Sequence, residues 1–312
     1  MHVLGIDAGG TKSICLLADE RGEIVSMTRG PGANLHAAGE LGVEKVLHEL
    51  METAIGDRDV TPTAVCVGIA GVDREDEAQT VGAIMRRIGH KSHVLVVNDA
   101  LIALVAGAGD APGIVVIAGT GSIAYGRNAA GEAARAGGWG HLIGDEGSGY
   151  WIGREALAAV MRAGDGRGPT THLTAQILAH FSVADVSRLP RIVYDREQPR
   201  MAVAALGPLV QRVADEGDAV AARVLERAAE ELVLAAGSVA ARLEMRGDPF
   251  AFYLAGGAFQ VVPSLARELS RRLVEVAPRS RVEMLDAEPA VGAVRLALSE
   301  ARGRAEVPRY KP

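Results

Sequence analysis

One pattern limits what this chain can fold into more than any other: a strand, glycine turn, strand, polar turn, strand unit that occurs twice. The first copy is VLGIDAGGTKSICLLADERGEIVSM (Val3–Met27), with its second turn at Asp19-Glu20-Arg21-Gly22-Glu23. The second copy starts at Gly113, GIVVIAGTGSIAYGRNAAGEAARAGG, with the corresponding turn at Asn128-Ala129-Ala130-Gly131-Glu132. Glycine near the end of each of these turns suits a hairpin. Two copies of one unit about 110 residues apart predict two related lobes and exclude a short-period solenoid.

Between the copies, Ala37–Ile55 has helical spacing, Ala64–Ile69 reads as a buried strand, and Glu75–Ile88 reads as a helix. Val94–Val97 is a further strand, and a helix begins at Ala100. Strands alternating with helices imply an α/β sheet with a parallel portion. After Gly147 helices dominate, at Tyr150–Arg162, Thr171–Ala179, Met201–Asp215 and Ala219–Arg242. A strand returns at Phe250–Leu254, then a glycine turn, a helix at Val262–Val276, a strand near Val282–Leu285 and a helix at Ala290–Ala301. Pro308–Pro312 reads as a frayed tail. The turn-rich Asp110-Ala111-Pro112-Gly113 marks the break between an N-terminal lobe, 1–112, and a C-terminal lobe, 113–312, that carries a helical insertion. The last helix is free to pack back on the N-terminal lobe.

Composition narrows the function classes. Of 312 residues, 48% are hydrophobic and 23% charged, a globular mix with ample core. A net charge of -6 without basic clusters argues against a nucleic-acid partner. Neither Cys15 nor Cys66 sits in a metal-ligand spacing, and both lie in apolar strands, which favours reduced core residues. Val3 onward opens directly into a strand with no secretory pattern, and the apolar runs are too short to span a bilayer. The expectation is a cytoplasmic enzyme with no membrane partner.

Four glycine-rich turns follow apolar strands: Asp7-Ala8-Gly9-Gly10-Thr11-Lys12, Gly119-Thr120-Gly121-Ser122, Gly137-Gly138-Trp139-Gly140 and Ala255-Gly256-Gly257-Ala258. Glycine lets backbone approach a ligand and aim N–H groups at an anion, although one such turn alone is more often plain hairpin geometry. No P-loop motif occurs. Gly119–Ala124 matches the dinucleotide fingerprint, but that motif needs a helix next and a β-like run follows instead. Asp99 follows a buried strand and precedes a helix. From position alone it reads equally as a base at a sheet edge or as a helix N-cap. Lys12 reads as a phosphate cation or a solvated strand end. Trp139, in a glycine loop, favours a ligand contact over packing, whereas Trp151 on an apolar helical face reads as core.

Together IDAGGTK (Ile6–Lys12), VNDA (Val97–Ala100), AGTGS (Ala118–Ser122), GGWGHLIGDEGSGYWIG (Gly137–Gly153) and LAGGA (Leu254–Ala258) resemble the actin/Hsp70/hexokinase ATPase superfamily. Within it they resemble the N-acetylglucosamine kinase group. The resemblance implies a two-lobed ribonuclease-H-like fold of duplicated mixed sheets and helices, with ATP in the interlobe cleft. It implies Asp7 as the Mg²⁺ acid. Gly9, Gly10, Thr11 and Lys12 would then meet the phosphates together with Gly119, Thr120 and Gly121, with Gly256 and Gly257 against the adenosine. Asp99 would be the general base. Asn34, Asp99, Gly138, Trp139 and Asp145 would contact the sugar, His141 would orient the loop, and Glu146 would cap the following helix or face the ligand. The expected reaction moves the γ-phosphate of ATP to a hexosamine hydroxyl, N-acetylglucosamine or glucosamine at O6, in a homodimer whose lobes close to exclude water.

Two other classes share this scaffold. The activator ATPase of 2-hydroxyacyl-CoA dehydratases needs a cysteine-held iron–sulfur cluster, for which Cys15 and Cys66 are poorly placed. A kinase-like sugar-binding regulator carries an N-terminal helix-turn-helix, whereas here a strand is expected within a few residues of Met1. The cysteine/histidine zinc motif of the repressor/kinase glucokinases is also missing, which argues against glucose as sole substrate.

Overall fold

A computed structural model describes residues 1–72, 75–89, 92–194 and 199–311. In chain order it begins β1 (His2–Ala8), β2 (Lys12–Asp19), β3 (Ile24–Pro31), α1 (Leu35–Ile55), β4 (Ala64–Ile69), α2 (Glu75–Arg87), β5 (His93–Asn98) and α3 (Asp99–Ala108). The second copy of the repeat supplies β6 (Gly113–Ala118), β7 (Ser122–Arg127) and β8 (Glu132–Gly137). Helices α4 (Gly149–Gly164), α5 (Leu173–Phe181), α6 (Leu189–Val193), α7 (Pro199–Ala204), α8 (Gly207–Asp215) and α9 (Ala219–Arg242) follow. Then come β9 (Ala251–Ala255), α10 (Gly257–Val261), α11 (Pro263–Val276), β10 (Arg281–Met284), α12 (Pro289–Ala301) and β11 (Arg309–Tyr310).

These elements form two compact units. Unit 1 comprises Met1–Val115, Tyr125–Ala134 and Met284–Pro312; unit 2 comprises Val116–Ala124 and Arg135–Glu283. One sheet has the order β3-β2-β1-β4-β5 and the other β10-β9-β6-β7-β8-β11. The crossovers β1–β4 and β4–β5 are parallel, so their strands end at one edge. That edge is where α/β sheets present ligand-binding groups.

The repeat is visible bond by bond. In the first hairpin Asp19 N–H donates to the Glu23 carbonyl and Gly22 N–H to that of Asp19, while the Asp19 carboxylate takes the N–H groups of Arg21 and Glu23. In the second, Asn128, Gly131, Ala130 and Glu132 make the same four bonds in the same places. Gly22 and Gly131 adopt φ of 87° and 74°, the left-handed region that a Cβ penalises.

Unit 1 packs helices on both faces of its sheet, which is why β4 reads AVCVGI and is buried throughout. On one face Val43, Leu47, Leu50 and Met51 of α1 meet Leu4, Ile6, Cys15 and Leu17. Each such aliphatic contributes roughly 1.5–3 kcal/mol by leaving water. On the other face α3 and α12 lie so close that glycine is obligatory. A Cβ on Gly5 would stand 2.4 Å from the Val294 nitrogen, and one on Gly292 would stand 1.9 Å from the Ile102 carbonyl oxygen.

Several details depart from the sequence reading. The helix expected over Met201–Asp215 is two, α7 and α8, because Pro208 lacks an N–H and starts a helix rather than continuing one. Helix α1 begins two residues earlier than expected and is interrupted at Gly39, whose φ is 67°. The helix expected from Val262 is α11, preceded by the separate short α10. The supposed frayed tail instead forms β11, which pairs in parallel with β8 and sets Tyr310 edge-on to Tyr125. Pro312 lies outside the described residues. The chain passes between the two compact units first at Val115–Val116, and 284–312 is part of unit 1. Among the described residues no helix is long and apolar enough to cross a membrane.

Candidate functional site

In unit 1 the candidate residues gather at the edge where β1, β4 and β5 end. Asp7 is paired with Gly68 of β4, which is paired with Val97 of β5, so Asn98 and Asp99 lie just past the same edge. The turn Gly9–Lys12 closes with Gly9 N–H donating to the Lys12 carbonyl at 3.1 Å. The loop bearing Asn34 is pressed onto this turn: Ala33 N–H donates to the Gly9 carbonyl, and a Cβ on Gly32 would meet the Gly10 oxygen at 2.4 Å. Asn34 Nδ2 donates to Ala70 O at 2.9 Å, and Asn98 Nδ2 to Val72 O at 3.3 Å. Asn34, Asn98, Asp99 and the first glycine turn are therefore tied to one rim.

The ambiguity over Asp99 is resolved at the level of capping. Asn98 is the N-cap of α3: its backbone is extended, and its side chain accepts from Ala100 N–H at 2.8 Å. Asp99 is the first helical residue, where an acid is favoured by the helix dipole but does not serve as the cap.

Charge at this rim is unbalanced. Burial pushes the Asp7 carboxyl up to about 7, helped by repulsion from Asp99 and, less, Glu288, while Lys12 opposes. Glu288 itself is held by Lys12 Nζ at 3.8 Å and Arg29 at 3.3 Å. A carboxyl that holds its proton more tightly folded than unfolded costs stability as pH rises. The cost begins near pH 4 and is fully present above about pH 7. Asp7→Asn is expected to raise the melting temperature at pH 8 in metal-free buffer, by an amount equivalent to on the order of 1–4 kcal/mol. The gain should vanish at pH 4. Paired thermal scans check it, and equal shifts at both pH values would refute the origin in charge.

In unit 2 the turn after β6 is closed by Gly119 N–H to the Gly121 carbonyl at 2.9 Å, and Gly149 N–H donates to the Gly119 carbonyl at 2.8 Å. A strand, β7, follows directly, as the β-like run predicts, so the dinucleotide-fingerprint reading fails. The turn after β9 places Gly256 at φ 104°, where a Cβ would stand 2.3 Å from the Ala118 oxygen. Gly119–Gly121, Gly256 and Gly257 thus share one end of the β6 and β9 strands.

The loop from Gly138 to Ser148 presents two sets of groups. Asp145 is 4% exposed, has φ of 56°, and pairs with Arg200 at 3.1 Å. Burial raises its carboxyl, against the Arg200 charge and the N–H groups of Ser122 and Gly140. The imidazole of His141 is lowered by burial and by Arg200, and packs edge-on to Tyr150. Trp139 is 58% exposed, with the Arg135 guanidinium 4.5 Å from its ring centre. It lines a cavity of about 260 Å³ with Glu146, Gly137 and Glu231, and Asp145 does not line that cavity. Gly138 has φ of 74° and sits over Ile123. Trp151 is 3% exposed, a core residue as its helical position suggests. Glu146 does not cap α4; Ser148 does, accepting from Trp151 N–H. Sequence reasoning missed Asn98, Arg200, Glu231 and Glu288. Only Asn98 carried a local signal, as a good capping residue beside Asp99.

Comparison with known proteins now bears on these features. Residues 4–297 match the model of the BadF/BadG/BcrA/BcrD ATPase family. The chain belongs to this ATPase family. An N-acetylmuramic acid/N-acetylglucosamine kinase of Clostridium acetobutylicum is 35% identical, covering 96% of this chain and 99% of its own length. An N-acetyl-D-glucosamine kinase of Dictyostelium discoideum is 33% identical, covering 95% and 97%. Among solved structures, one from Chromobacterium violaceum assigned as an N-acetylglucosamine kinase superposes with a TM-score of 0.77 at 26% identity, covering 95% of this chain and 98% of that one. Here Cys15 and Cys66 are fully buried, and burial drives the Cys15 thiol up to about 12 and that of Cys66 higher still.

Proposed function

We propose that this chain is an ATP-dependent sugar kinase that transfers the γ-phosphate to the 6-hydroxyl of a hexosamine, N-acetylglucosamine or glucosamine. The observation that carries the reading is the acid pair at the unit 1 rim. Asp7 and Asp99 stand at one sheet edge beside a glycine turn, and the cap role that would explain Asp99 otherwise belongs to Asn98. The near-full-length likeness to two N-acetylglucosamine kinases supports the same reaction.

In this reading Asp99 accepts the proton of the sugar hydroxyl as its oxygen bonds to the γ-phosphorus and the bond to the ADP oxygen breaks. Asp7 fits a divalent cation. Its carboxylate is opposed by burial and by two neighbouring acids, and its hard oxygen suits Mg²⁺ that retains water. Bound Mg²⁺ neutralises phosphate charge. The turns Gly9-Gly10-Thr11-Lys12 and Gly119-Thr120-Gly121 bind phosphate oxygens, the N–H groups of Gly9 and Gly119 serving to close the turns from within; Gly256 and Gly257 admit the adenosine. Asn34, Gly138, Trp139 and Asp145 recognise the sugar. The reading also includes a homodimer in the cytoplasm.

The test is ADP release coupled to a reporter enzyme over glucose, glucosamine, N-acetylglucosamine and N-acetylmuramic acid, with and without Mg²⁺. Turnover is expected with an amino sugar and to disappear with chelator. Background rates for all four sugars would end the proposal.

A further inference from the structure

We propose that Arg200 is the cation of the second glycine turn, a ligand for nucleotide phosphate supplied from about 80 residues downstream. The proposal rests on the reading that Gly119–Gly121 bind phosphate. The two turns differ in one respect that matters for an anion. The first carries its own cation, Lys12, directly after Gly9-Gly10-Thr11. At the equivalent place in the second stands Ser122, and Ala118–Tyr125 contains no basic residue. Backbone N–H groups alone leave most of a polyphosphate's charge uncompensated, whereas phosphoryl-transfer sites depend on neutralising it.

Arg200 fills that gap in space. Its Nη2 lies 3.0 Å from where a Cβ on Gly121 would stand, and 3.1 Å from Asp145 Oδ2, itself 2.7 Å from that same Cβ position. Gly121 is absent from the residues with positive φ, so the lack of a side chain serves room for this ion pair, not backbone conformation. The helix bearing Arg200 is seated against the turn and against α4. The Thr120 hydroxyl meets Met201 Sδ at 3.8 Å. A Cβ on Gly153 of α4 would stand 2.0 Å from the Val203 oxygen. Asp145 is itself buried, with 4% of its surface exposed, which makes it a fixed anchor for the guanidinium.

The guanidinium also has unused capacity. Arg200 Nε is buried without a hydrogen-bond partner among the described residues, although its side chain as a whole is 37% exposed. An arginine kept only to brace Asp145 would be expected to satisfy its buried donor. A planar fork with one arm on Asp145 and further N–H groups at a phosphate turn is suited to an anionic oxygen.

The experiment uses the full chain with Arg200→Gln, Arg200→Lys and Asp145→Asn. It measures ATP and AMP affinity by calorimetry, KM for ATP and for the best sugar, and a melting curve. Arg200→Gln is expected to weaken ATP on the order of 10–100-fold, the worth of a charge-assisted hydrogen bond, with AMP and the sugar KM changed by less than about 3-fold. Arg200→Lys should recover part of the ATP loss. Asp145→Asn should raise the sugar KM and weaken ATP by clearly less than Arg200→Gln does, since the guanidinium loses its anchor but keeps its charge. ATP affinity unchanged in Arg200→Gln, with the sugar KM raised as in Asp145→Asn, would reduce Arg200 to a brace and overturn the proposal. If Arg200→Gln does not fold, Arg200→Lys decides: weaker ATP with unchanged AMP supports the proposal, and unchanged ATP overturns it. Wild-type protein that binds no ATP would instead remove the underlying phosphate-turn reading.

Discussion

Asp99→Asn is expected to lower turnover on the order of 10²–10⁴-fold, the usual worth of a positioned base, with the melting temperature almost unmoved. The amide keeps the shape of the side chain but cannot take the sugar proton. Asparagine also suits the first turn of a helix whose cap, Asn98, is untouched, so α3 has no reason to unravel. Losing one charge beside Asp7 relieves repulsion there and works slightly in favour of the fold. The measurement is kcat with the best sugar, beside a melting curve and an ATP titration. A folded variant with near-wild-type turnover would remove Asp99 from the chemistry. Asn98→Ala is the companion: it should cost about 1 kcal/mol of stability, since a cap is lost.

Gly292→Ala should have the largest effect on the fold. Its new methyl would stand 1.9 Å from the Ile102 carbonyl oxygen and 2.7 Å from the Ala106 nitrogen, backbone atoms that no rotamer change can move. Helices α3 and α12 must separate, at a cost on the order of 3–5 kcal/mol and about 10 °C in melting temperature. Because α3 starts at Asp99, catalysis should weaken as well. Gly247→Ala, where no atom lies within 4 Å of the new methyl, is the control and should be nearly neutral. A Gly292→Ala protein as stable as wild type would mean that the two helices can slide apart without loss.

What could be read beforehand was what short-range chemistry decides. The duplicated hairpins were legible because an Asx side chain and a left-handed glycine fix such turns within five residues, at Asp19–Glu23 and Asn128–Glu132 alike. The rim at β1 and β4 followed from strands too apolar for anything but the middle of a covered sheet, with β5 at its edge. Asn98 and Asp99 are both good capping residues, and sequence alone does not fix a helix start to one position. Strand β11 has two residues and exists only because β8 offers an edge to it. Arg200 and Glu288 gave no signal because their surroundings arise from contacts with segments tens to hundreds of residues away. The break between α7 and α8 was a signal overlooked, since Pro208 announced it.

The return of α12 to the first unit has a consequence for biosynthesis. Strand β1 and helix α3 leave the ribosome early, yet the helix that covers Gly5 and Ile102 is made only after nearly the whole of the second unit. Until then the part of the first unit's face around Gly5, and the side of α3 that meets α12, stay uncovered, the kind of surface that chaperones hold and that aggregates when they do not. Contacts this distant in sequence also close slowly. Residues such as Gly292 therefore set the yield of the enzyme in a cell as well as its melting point.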